Sequence, residues 1–159
     1  MNNTTVLASL ARCKHAAAVL VLLCSGAVQA QFAMVPAPAL PGPPRESAAT
    51  SEKEYKLDAA RHIYAAYPAR IFRGRLPPLM YSVMIVETHI DATGQVLDVA
   101  VVRKPAAAEV APWVLAMIRR AAPFPAPVKV DEAPVKYTEI WLVDKSGQFQ
   151  VDTLTEGQR

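Results

Sequence analysis

The sequence predicts an α+β domain, built as two helices and two antiparallel hairpins in the order helix, hairpin, helix, hairpin. Three observations carry that expectation. Apolar residues recur at a helical period between residues 51 and 67 and again between 106 and 122. Two stretches rich in β-branched and aromatic residues, 81–102 and 137–154, are each broken by a D-x-[S/T]-G turn. Proline shuts both helical patterns. With 159 residues, 52% hydrophobic and 19% charged, the chain has room for one domain and short appendages. Its 14 prolines mark at least one stretch that is neither helix nor strand.

The formal net charge of +3 gives no case for nucleic acid. Arg12 and Lys14 lie within the first thirty residues and no acid does, so residues 31–159 carry 15 basic and 14 acidic side chains. A balance of one charge over such a length leaves no footprint for a polyphosphate.

Residues 1–30 read as an export signal. Arg12 and Lys14 form a basic start, residues 16–23 (AAAVLVLL) are the apolar run, and Val28 and Ala30 are the small residues a signal peptidase requires, with cleavage before Gln31. A membrane span needs about 20 apolar residues, and this run is interrupted by Ser25, Gly26 and Gln29. Leu23 stands before Cys24 where a lipoprotein signal has a small residue. Both cysteines, Cys13 and Cys24, fall inside this segment, so the mature chain is expected to lack disulfides, thiolates and cysteine metal sites. A soluble periplasmic protein is the expectation; the alternative keeps residues 16–30 as an inner-membrane anchor. Residues 31–50, rich in Pro and Ala, read as a polyproline-type spacer spanning roughly 60 Å at full stretch. The domain then occupies residues 51–159.

Within the domain, Ser51 and Glu54 read as a capping box opening the first helix. Leu57, Ala60, Ile63, Tyr64 and Tyr67 make its apolar stripe, His62 falls on the solvent side, and Pro68 ends it. Arg70, Arg73 and Arg75 follow in a loop closed by Pro77 and Pro78. Residues 81–90 form a strand with Met84, Val86, Thr88 and Ile90 on one face. The opposite face, Tyr81, Val83, Ile85, Glu87 and His89, is also partly apolar, which predicts that something covers it. Asp91 to Gly94 turns the chain into the returning strand, 96–102. The second helix spans about 106–122, with Val110, Trp113, Val114, Met117 and Ala121 inward, and stops at Pro123, Pro125 and Pro127. A second hairpin, 137–143 and 148–154, turns at Asp144 to Gly147.

Several residues in this order resemble a known family. Tyr67-Pro68-Ala69 precedes the first hairpin; Ile90-Asp91-Ala92-Thr93-Gly94-Gln95-Val96 forms its turn; Arg119-Arg120 and Pro123-Phe124-Pro125 end the second helix. Together they resemble the C-terminal domain of the TonB and TolA energy transducers over roughly residues 55–143. The resemblance implies helices packed on one face of a small antiparallel sheet, here with an extra C-terminal hairpin strand. It implies no catalysis and no cofactor, and binding of a protein partner in the cell envelope, such as an outer-membrane receptor or its periplasmic segment, by addition of a strand to the sheet edge. Two copies pairing through their sheets, a homodimer, are compatible with it. Carried onto this chain, the partner-facing strand holds Tyr137, Thr138, Glu139, Ile140 and Trp141, unless residues 148–154 cap it. An adaptor in envelope transport or integrity is therefore expected; the alternative is a short anchored energy transducer.

Other candidate chemistry is thin. A metal or general-base role for His62 or His89 needs further ligands or a placed carboxylate, and the pattern offers His89 only Glu87 and Asp91. Ser82 and Ser146 lack a nucleophile elbow, and no glycine-rich phosphate loop is present. Arg70, Arg73 and Arg75 form a basic patch that could meet an anionic glycan, lipid headgroup or acidic partner.

Overall fold

The structure, a computed structural model, describes residues 32–39, 45–131 and 134–158. The expected export signal, residues 1–30, lies outside the described residues. The fold is α+β, as expected. Helix α1 (Glu52–Ala66) is followed by strands β1 (Ser82–Ile90) and β2 (Val96–Arg103), then helix α2 (Val110–Arg120), then β3 (Val135–Val143) and β4 (Phe149–Val151). The strands form one antiparallel sheet in the order β2-β1-β3-β4.

Helix α1 starts where its cap directs. The Ser51 hydroxyl accepts from the Glu54 N–H at 3.3 Å. The Glu54 carboxylate reaches back one residue further than a capping box requires, accepting from the Thr50 N–H and hydroxyl at 2.8 and 3.0 Å. The buried face is Tyr55, Ala59, Ala60, Ile63 and Ala66, rotated from the expected stripe so that Leu57 is only half-buried. Two phenols set that rotation. Tyr55 donates to the Pro125 carbonyl and Tyr67 to the Met117 carbonyl, each at 2.8 Å. Burial pushes the Tyr67 phenol up to about 12, which keeps it a donor at any physiological pH.

Helix α2 is shorter than the pattern suggested, with Pro112 in its first turn, where a missing N–H costs nothing. It buries Val110, Trp113, Val114, Met117 and Ile118. Both helices pack on the face of the sheet that carries Met84, Val86 and Ile90 of β1 and Val135, Tyr137, Trp141 and Val143 of β3. Phe149 lies at the centre of this core, with its ring 4.8 Å from Trp141, 6.4 Å from Trp113 and 6.2 Å from Tyr64.

The two hairpin turns share one geometry. Asp91 and Asp144 each accept from the N–H three residues on and donate to the carbonyl four residues on. Gly94 and Gly147 hold positive φ angles of 86° and 74°. Gly94 has a second constraint: the Phe124 N–H donates to its carbonyl at 2.7 Å, drawing the two backbones together.

The Pro/Ala-rich stretch 31–50, expected to be a polyproline-type spacer, is fastened to the domain at several of its described residues. Phe32 is buried, stacked 5.9 Å from Tyr81 and edge-on to Trp113 at 5.2 Å. Arg120 donates to the Val35 carbonyl, Ala39 to the Ala66 carbonyl, and Ser47 to the Ala126 carbonyl. The pattern missed this because a few isolated contacts, rather than any periodicity, hold the stretch down.

Candidate partner-binding surfaces

The strand carrying the expected partner contacts lies inside the sheet. Strand β3 pairs with β1 along its whole length and with β4 over Trp141, Leu142 and Val143. The edge is therefore capped by the chain itself where β4 runs. Beyond β4, Glu139 takes over: its carboxylate accepts from the Ile140 N–H at 3.0 Å and the Thr153 N–H at 3.3 Å, and Lys56 approaches at 3.5 Å. Tyr137, Glu139 and Trp141 are buried on the helix side. Only Thr138, exposed, and Ile140, half-exposed, remain accessible from the expected set of five. The outer edge available to a partner belongs instead to β2.

The opposite face of the sheet, expected to be covered, is left half-exposed. Its layout follows from the register. Val83 faces Leu142, and Ile85 lies between Ile140 and Arg103; these four apolar side chains form a continuous patch. The next rows are polar: Glu87 lies between Ala100 and Thr138, and His89 between Asp98 and Lys136. An apolar centre with a charged rim is the usual anatomy of a protein–protein interface. On β2 the register shifts twice, leaving Leu97 and Val102 as extra residues, 59% and 61% exposed. Such bulges restrict regular strand addition to residues 98–101.

The two histidines among the described residues divide. His89 Nε2 lies 2.7 Å from Glu87 Oε1 on the open face. His62 is not on the solvent side as expected. It is half-buried, 2.7 Å from the Ala121 carbonyl and 4.7 Å from the Phe124 ring centre. A carbonyl can only accept, so Nε2 carries the proton. Burial lowers the His62 pKa, partly opposed by that hydrogen bond. Neither histidine meets a second titratable partner that would make a catalytic relay. Ser82 is buried and accepts from the Ala107 N–H at 3.5 Å; Ser146 is a turn residue whose N–H donates to Asp144.

Arg70 is half-buried, whereas Arg73 and Arg75 are exposed on the loop that follows α1. That loop is fixed from beneath. Gln150, buried, donates to the Phe72 and Gly74 carbonyls at 2.9 and 2.8 Å, and the Leu76 N–H donates to the Gly157 carbonyl at 2.9 Å. A shallow cleft of about 480 Å³ opens between the start of α1 and the start of β3, lined among others by Ser51, Glu52, Asp131 and Lys136. Among the described residues no group of three or more His, Cys, Asp or Glu side chains is placed to hold a metal ion, and no helix is long and apolar enough to cross a membrane.

Sequence-based reasoning placed Glu139 among the partner contacts and overlooked its role as a buried acceptor. The signal was present, since alternation put a charged residue on the same face as Tyr137 and Trp141, and a carboxylate on a buried face requires a partner. What the structure defines is a small α+β domain with a one-sided sheet. Comparison with family models, curated proteins and solved structures gives no match.

Proposed function

We propose that this chain is a non-enzymatic protein-binding module of the TonB/TolA type, acting as a periplasmic adaptor in envelope transport or integrity. The observation that carries the reading is the patch of Val83, Ile85, Ile140 and Leu142, rimmed by Glu87, His89, Asp98 and Lys136. Each of the four apolar side chains is already more than half-buried by its neighbours. Covering the remainder contributes on the order of 2–3 kcal/mol, taking ~1.5–3 kcal/mol for full burial of each. Association costs about 4 kcal/mol or more in lost freedom, so this patch alone cannot hold a partner. A partner must therefore also reach the β2 edge, where Leu97, Val102 and the outward backbone groups of residues 98–101 add contacts. An extended periplasmic segment of an envelope protein, such as that of an outer-membrane receptor, fits that shape.

The packing of residues 32–39 and 45–50 onto the domain supports an adaptor over a transducer that spans the periplasm. A segment fastened at Phe32, Val35, Ala39 and Ser47 contributes little reach. The test is photocrosslinking in cells from Ala100, Ile140 and, as a control, Lys53 on the exposed side of α1. The first two should trap the same envelope protein, and Ile85→Asp should remove both crosslinks while the domain stays folded. Equal trapping from Lys53, or none from Ala100 and Ile140, would overturn the assignment.

A further inference from the structure

A second surface, separate from the sheet face, combines charge and exposed apolar side chains in a way the adaptor reading does not use. The loop of residues 71–80 presents Arg73 and Arg75 to solvent, and among the described residues no carboxylate lies within ion-pair distance of either. The same loop carries Leu79 at 88% exposure, the most exposed large hydrophobic side chain described. Second is Met34, at 76%. These two residues flank one aromatic stack: Leu79 lies two positions before Tyr81, Met34 two positions after Phe32, and the Phe32 and Tyr81 rings are 5.9 Å apart.

The loop is built to hold this presentation. Gly74 takes a φ of +80° with open space around it, so the backbone bends between the two arginines. Its N–H donates to Glu156 at 3.1 Å, and its carbonyl accepts from the buried Gln150. The Phe72 N–H donates to the Phe149 carbonyl at 2.9 Å. Arginines unpaired among the described residues, beside an exposed leucine on a fixed loop and with Met34 presented from the same aromatic stack, match a bilayer surface with anionic headgroups.

We propose that residues 71–80, together with Phe32 and Met34, form a peripheral contact surface for an anionic phospholipid bilayer. Arg73 and Arg75 meet the headgroups, while Leu79 and Met34 enter the boundary beneath them. The Tyr81 hydroxyl donates to Glu109 and braces the stack from the protein side. The contact orients the domain relative to the membrane without spanning it.

The experiment uses the chain from Gln31, the mature form expected from the sequence, which has no cysteine, with one environment-sensitive dye attached at Leu79→Cys. A second preparation carries the dye at Lys53→Cys. Vesicles of phosphatidylglycerol and phosphatidylcholine should blue-shift the Leu79 dye and allow its quenching by lipids labelled near the headgroup. The Lys53 dye should be unaffected, and pure phosphatidylcholine should give little response. Removing both arginines (Arg73→Gln with Arg75→Gln) should weaken the response on the order of 25-fold, about fivefold for each arginine. Both positions are exposed, so the variant folds, and circular dichroism checks that it does. No shift at position 79 on anionic vesicles would overturn the proposal and leave an acidic protein segment as the partner of these arginines. An equal shift at position 53, or a response unchanged by the double substitution, would overturn it too.

Discussion

Gly94→Ala should destabilise the domain well beyond what a turn glycine usually costs. Gly94 sits at φ +86°, where an L side chain costs roughly 1–2 kcal/mol. A Cβ there would also stand 3.0 Å from the Phe124 carbonyl carbon and closer still to its oxygen. That neighbour is backbone and cannot rotate away. To make room, the chain must move at Phe124 and lose or stretch the 2.7 Å bond from the Phe124 N–H to the Gly94 carbonyl, a further loss of about 1–1.5 kcal/mol. The sum is about 3 kcal/mol. Gly74 supplies the internal control, having nearly the same φ and nothing within 4 Å of an added Cβ. Gly74→Ala should therefore show only the conformational cost of roughly 1–2 kcal/mol. Urea unfolding followed by tryptophan fluorescence measures both. With a slope of about 2 kcal/mol per molar, the Gly94 midpoint should fall by about 1.5 M and the Gly74 midpoint by about half that. Equal shifts in the two variants would refute the argument that the turn is clamped to the segment after α2.

Three further outcomes follow from the same contacts. Phe149→Ala removes the ring packed against Trp141, Trp113 and Tyr64 and should cost about 3–5 kcal/mol in chemical unfolding; a cost below about 1 kcal/mol would mean β4 is not part of the core. Glu139→Ala leaves the Ile140 and Thr153 N–H groups without their acceptor and should cost about 2–3 kcal/mol, with hydrogen exchange accelerating at both amides. His62 has a folded pKa below its ordinary value of 6.5, so the unfolded chain takes up the proton first. Its contribution to stability is complete above about pH 6.5 and is lost as pH falls through the lowered folded value. His62→Gln, which keeps a donor for the Ala121 carbonyl, should flatten that acid limb of the stability profile; an unchanged profile would place the titration elsewhere.

The parts of the fold legible in the sequence were those fixed by local chemistry. Ser51 caps α1, the two aspartate–glycine turns close their hairpins, and the alternation of β1 puts Met84, Val86, Thr88 and Ile90 inward. What escaped was decided by distant partners. Tyr55 rather than Leu57 is buried because its hydroxyl finds Pro125, seventy residues away. His62 turns inward because the Ala121 carbonyl and the Phe124 ring meet it. The position of the 137–143 strand inside the sheet escaped for the same reason. Whether β3 is an edge depends on β4, which is only three residues long and is fastened through Phe149 and Gln150 rather than by any pattern of its own. The open apolar patch was half legible: both faces of β1 looked apolar, but only the register showed that the second remains uncovered.

The account rests most heavily on where a partner lies, and hydrogen exchange tests that directly. With the protein trapped from Ala100 or Ile140 added in excess, the amides of β2 between residues 98 and 101 should gain protection. Those of β3 that already bond to β1 and β4 should stay unchanged. Protection gained at residues 136–139, with β2 unchanged, would contradict the account by showing that the partner opens the β3 edge and displaces the C-terminal segment.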